Sequence, residues 1–149
     1  MTKKERCIVA HDCHASGLNC AQSVAAAFSD LTGLSKEQSI ALCSGFGGGM
    51  RYGGVCGVVS AAVMVLGAVF PATAESGAEG KSRAGQITME YERRFVRHFA
   101  SLDCRELKAN PVGEGTDMAK ELHAANHCRM LVVSGTELLH DMIEELKEK

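Results

Sequence analysis

Apolar positions in the C-terminal part of the chain recur at three- and four-residue steps. In TELLHDMIEEL they are Leu138, Leu139, Met142, Ile143 and Leu146, one inward stripe of an amphipathic helix. Ser134, with Glu137 three residues later, supplies a capping box for its start. QITMEYERRFVRHFASL repeats the pattern, with Ile87, Tyr91, Phe95 and Phe99 inward. TDMAKELHAANHCRMLV predicts a further helix, with Met118, Leu122 and Ala125 inward. Cap signals mark three more starts: Asn19 with Gln22, Ser35 with Gln38, and Asp103 with Glu106.

Between Tyr52 and Ala74 no residue is charged, and VVSAAVMVLGAVF (58–70) is densely apolar. A membrane span needs about 20 such residues. This run is shorter, rich in alanine, and closed by Pro71, so it predicts a buried core helix. No segment alternates with period two. Loops are expected at 15–19, 31–35, 45–54, 71–85 and 109–116, with ATAESGAEGKSRAG (72–85) mobile. The fold expected is all-α, a single-domain bundle over 1–149 of about six to eight helices, some short, with a glycine-rich helix–helix loop.

Composition narrows the function. A chain of 149 residues is of one-domain size. Its net charge of −2 and the lack of a basic stripe argue against nucleic acid. MTKKERCIV has no apolar signal-peptide core, which predicts a cytoplasmic, reducing setting. Seven cysteines are then anomalous, because an odd count in a reducing compartment points to metal binding or redox chemistry rather than a disulfide framework.

Cys20 follows the cap Asn19, Cys104 follows the cap Asp103, and Cys56 opens the apolar helix. Three cysteines thus fall at predicted helix N-termini, where free N–H groups and the helix dipole favour thiolate. Any one alone reads as a small buried apolar residue; the shared position carries the argument. Cys128 falls mid-helix and Cys43 among core residues, while Cys7 and Cys13 on the N-terminal helix receive no role. The absence of C-x-x-C excludes thioredoxin-type, zinc-ribbon and haem-attachment motifs. His123 and His127, four apart, would share a helix face but lack the glutamate of H-E-x-x-H, and read as solvated. His11 and His14 flank Cys13 as an adventitious metal site.

GFGGGMRYGGVCG (45–57) holds seven glycines in thirteen residues. No strand precedes it and it does not match a phosphate-binding loop. It reads either as a tight connector or as a backbone cradle. In the second reading Gly47, Gly48, Gly49 and Gly54 approach a bound group and aim amides at its sulfurs.

Together, GLNCAQSV (17–24), GFGGGMR (45–51), VCGVVSAA (55–62), CREL (104–107) and Cys128 resemble the C_GCAxxG_C_C family of redox-active proteins. The resemblance spans about residues 10 to 145. It implies that Cys20, Cys56, Cys104 and Cys128 are the recurrent cysteines. It also implies an iron–sulfur site, since related domains occur joined to haem-carrying segments in electron-transfer proteins. Val58 and Ala61 stand where that family more often has alanine and glycine.

The function expected is an electron-transfer protein. Cys20, Cys56, Cys104 and Cys128 would hold an iron–sulfur cluster, with a redox protein as partner, a homodimer as one arrangement, and no membrane or nucleic-acid partner. Two alternatives stay open. One is a metal-free thiol–disulfide protein using Cys20 and Cys56; the other is a structural zinc or metal-free interaction module.

Overall fold

The computed structural model describes residues 1–124 and 126–149. Among them are α1 (Lys3–Ala15), α2 (Cys20–Ala26), α3 (Ser29–Thr32), α4 (Lys36–Leu42), α5 (Gly57–Val69), α6 (Gly77–Phe99), α7 (Cys104–Ala109), α8 (Asp117–Glu121) and α9 (His127–Lys147). A π-turn of mostly left-handed backbone at Gly49–Gly53, closed by the Gly54 amide on the Gly49 carbonyl, interrupts the glycine-rich loop. The architecture is all-α, as the periodicity predicts. Several of the helices are single turns, such as α3 with four residues and α8 with five.

The apolar run forms α5, which packs against α2, α6 and α9. Its Val58, Val59, Ala61, Ala62, Val65 and Leu66 are all buried. Among the described residues, no helix is long and apolar enough to cross a membrane. The α6 stripe is inward as expected: Ile87, Tyr91, Phe95 and Phe99 are buried, and the Phe95 and Phe99 rings lie 5.0 Å apart. On α9, Leu139, Met142 and Ile143 enter the core, with Leu138 and Leu146 packed at its edge.

Capping boxes close the starts of α2, through Asn19 and Gln22, and of α4, through Ser35 and Gln38. Thr2 and Glu5 form a third at α1. Beside it, buried Arg6 binds both carboxylate oxygens of Asp30 at 2.6 and 2.9 Å and the Ala27 carbonyl at 2.8 Å, and lies over the Phe28 ring. Cation, hydrogen bonds and ring together fasten α1 to the end of α2.

Four expectations are corrected. The segment from Gly77 is helical, so most of the stretch expected to be a mobile loop belongs to α6. That extension is almost wholly exposed and has no apolar stripe to announce it. The helix expected through 116–132 is broken: α8 ends at Glu121, His123 has a φ of 50°, and α9 starts at His127 with Asn126 as its cap. Ala125 lies outside the described residues. Ser134 and Glu137 sit inside α9 and cap a different helix; Ser134 Oγ accepts from the Thr116 amide at 3.1 Å and Glu137 from the Met118 amide at 3.0 Å. Asp103 makes no side-chain cap on α7.

The tightest crossing joins α5, α6 and α9 at Gly135. A Cβ there would stand 2.1 Å from Val58 Cγ1 and 3.0 Å from Tyr91 Oη, whose hydroxyl donates to the Gly135 carbonyl at 2.9 Å. Gly135→Ala is expected to destabilise the fold by about 1–3 kcal/mol through overpacking. Exposed Gly67, with open space around it in α5, supplies the contrast: Gly67→Ala should stabilise by about 0.5–1 kcal/mol. Urea denaturation of both variants checks the pair of signs.

Candidate functional site: a cavity lined by four cysteines

Cys20 is the first residue of α2. Cys56 is the residue that caps α5. Cys104 is the first residue of α7. Cys128, expected mid-helix, is the second residue of α9, because Asn126 starts that helix by accepting from the Arg129 amide at 2.8 Å. All four cysteines therefore sit at helix starts, and all four line one cavity of about 180 Å³.

Backbone pairing fixes two of them together. The Cys56 amide donates to the Leu102 carbonyl and the Cys104 amide to the Gly54 carbonyl, both at 2.7 Å, around an antiparallel bridge between Val55 and Asp103. This explains the unused Asp103 cap, since Gly54 satisfies the first amide of α7. The Arg105 guanidinium donates to the Tyr52 carbonyl at 3.0 Å and clamps the π-turn to α7.

The glycines allow close approach. A Cβ on Gly47 would meet the Asn19 side chain at 2.7 Å, and one on Gly49, with φ 62°, would meet the Gly54 backbone at 2.5 Å. Gly48, with φ 63°, lines the cavity itself. Gly54 spends its amide on the Gly49 carbonyl at 3.1 Å. Gly57 also lines the cavity, and a Cβ on it would stand 3.0 Å from the Phe46 carbonyl oxygen and 3.1 Å from the Ala21 amide nitrogen. Asn19 ties the arrangement together, capping α2 while donating to the Cys43 and Ser44 carbonyls at 3.2 and 3.1 Å.

Burial opposes thiolate formation. It pushes Cys56 up to about 11, against the downward pull of the Val58 and Val59 amides. Cys20 is also raised, first because its thiol donates to Cys128 and then by burial and the neighbouring sulfurs. Cys128 is lowered by that same hydrogen bond, with Lys108 assisting. Of the two, Cys128 is the readier to lose its proton. At Cys56 the helix start does not outweigh burial, and Cys20 is raised as well, contrary to the expectation from position alone.

Leu107 and Leu131 supply apolar wall, and half-buried His14 supplies a polar one. His14 Nε2 lies 3.9 Å from Cys20 Sγ. In sequence His14 reads only as a flank of Cys13, so this contact across two helices has no local signal. The remaining cysteines are elsewhere: Cys7 donates to the Val133 carbonyl, Cys43 faces Met64, and Cys13 is buried outside the cavity lining. The shared face expected for His123 and His127 does not form, because they stand on either side of the break between α8 and α9. Among the described residues, no three His, Cys, Asp or Glu side chains converge closely enough to hold a single metal ion.

The chain belongs to the C_GCAxxG_C_C family, whose model, described as "Putative redox-active protein (C_GCAxxG_C_C)", matches residues 18–142. No curated protein and no solved structure matches it.

In the metal-free protein at neutral pH, iodoacetamide should label Cys128 faster than Cys20, because only the thiolate reacts. Labelling should slow as pH falls through the lowered Cys128 pKa. Cys20→Ala removes the donor, so Cys128 should move back toward an ordinary thiol and react more slowly at neutral pH. Peptide-resolved mass spectrometry reads each site separately.

Proposed function

We propose that Cys20, Cys56, Cys104 and Cys128 form one redox centre that holds an iron–sulfur cluster and serves electron transfer. The observation that carries this reading is the cavity, with thiols from four helix starts around it. Two cysteines suffice for a disulfide, whereas four cysteine thiolates are the usual ligand set of a cluster. A cluster spreads its ligands over several iron atoms, which suits four thiols ranged around one cavity.

The residues present suit that group. Gly48 and Gly57 keep the lining free of side-chain bulk where α2, α5 and the loop meet. Free amides at the helix starts offset the charge of four thiolates. When bound, the cluster would accept and release one electron at a time. The chain's part is to fix the sulfurs and exclude water with Leu107 and Leu131. Cys20 and Cys128 are the less buried pair, so electrons would pass at their edge to a partner redox protein.

A second reading rests on the nearness of Cys20 and Cys128 in the same cavity and on their unequal proton affinities. Without metal, that thiol–thiolate pair has a nucleophile beside a resolving partner, the requirement for reversible disulfide chemistry. Cys128, rather than Cys56, is then the partner of Cys20.

Protein produced anaerobically should be brown and contain iron and acid-labile sulfide. Serine at any one of the four cavity positions should lower the iron retained, while Cys43→Ala should not. A colourless, iron-free product with intact fold would overturn the cluster reading, and zinc in its place would return the site to a structural role.

A further inference from the structure

The first turn of α9 delivers two groups to the sulfur site. One is Cys128; the next residue, Arg129, reaches His14 at the end of α1. Arg129 Nε donates to His14 Nδ1 at 3.2 Å. A guanidinium has donors only and stays charged. Nδ1 must therefore carry the free lone pair, since a proton there would face the Arg129 hydrogen. In the neutral imidazole the remaining hydrogen is then on Nε2. That nitrogen is the one lying 3.9 Å from Cys20 Sγ, within hydrogen-bonding range for sulfur.

The two contacts run in one direction: Arg129 donates to His14, and His14 to Cys20. Each donor polarises the next, so the chain is stronger than its separate bonds. Resting on the reading of this cavity as a redox centre, we propose that His14 is a positioning residue of the sulfur site, its tautomer fixed by Arg129 so that Nε2–H stabilises the electron-rich form of Cys20. A hydrogen bond donated to sulfur favours the reduced state, both for a cluster ligand and for a dithiol.

The test uses the metal-free full chain, so it stands whether or not iron is found. In glutathione buffers, Cys20 and Cys128 form an S–S bond by giving up two protons and two electrons; glutathione disulfide takes both and becomes two glutathiones. His14→Ala should shift this equilibrium toward the disulfide by roughly tenfold, the worth of one such hydrogen bond. His14→Gln, whose amide can accept from Arg129 and donate to sulfur, should stay close to wild type. Arg129→Met, which frees the tautomer, should shift in the same direction as His14→Ala but less. Nitrogen NMR of the imidazole should show hydrogen on Nε2 in the wild-type protein and a mixture in Arg129→Met. Hydrogen on Nδ1 in the wild type, or an equilibrium unmoved in His14→Ala, would overturn the proposal. If the two thiols do not pair in any buffer, the tautomer decides alone.

Discussion

The site depends on a competition between burial, which disfavours a thiolate, and the hydrogen-bond donors brought to the sulfurs, which favour one. Burial raises the cost of a thiolate, while unsatisfied N–H groups lower it. At Cys56 burial prevails although the Val58 and Val59 amides face the sulfur. At Cys128 the opposite holds, because a neighbouring thiol donates to it. The unequal proton affinities of Cys20, Cys56 and Cys128 make the cavity chemically asymmetric before any ligand enters. Thiol chemistry would begin on the Cys20–Cys128 side, while Cys56 and Cys104 form a backbone-paired half held by main-chain hydrogen bonds.

Much of this was legible in the chain. Asn19 with Gln22 marks the start at Cys20, and the glycine pair before Val55 marks the start near Cys56, because cap residues and glycines report local backbone geometry. The α6 and α9 stripes are readable for the same reason, as burial on one face writes a 3.6-residue period. The start at Cys128 was obscured because apolar residues continue across the break at residues 122–126, and periodicity cannot register a change of axis. Asn126 was the available signal. Ser134 and Glu137 misled because a capping pair is recognised by its spacing, whereas here the two side chains reach across to α8. His14 was out of reach, since its partners Cys20 and Arg129 lie on other helices and only the fold joins them.

The glycine-rich loop serves mainly steric ends. Gly47 admits Asn19, Gly49 admits the returning backbone at Gly54, and Gly57 admits the start of α2. Only Gly48 and Gly57 among these border the cavity. The bulk of Val58, at a position where the family more often has alanine, is taken up by Gly135 on α9. The larger side chain therefore fills space away from the sulfurs, and the approach of α9 to α5 is preserved. Met50 and Arg51 hold positive φ within the π-turn, a strained conformation that persists only where surroundings fix it. The Arg105 contact and the Gly54–Gly49 hydrogen bond provide that fixation.

The four sulfurs enter the chain at Cys20, Cys56, Cys104 and Cys128, and the last belongs to the helix that docks against α1, α2, α5 and α6. During synthesis the first three leave the ribosome well before the fourth. Until α9 seats itself, Cys20 lacks both its thiolate neighbour and the imidazole orientation that Arg129 imposes. A nascent chain therefore carries three of the four thiols without a finished pocket. Completion of the cavity coincides with completion of the bundle, so a cluster held there would be loaded only into the fully folded chain.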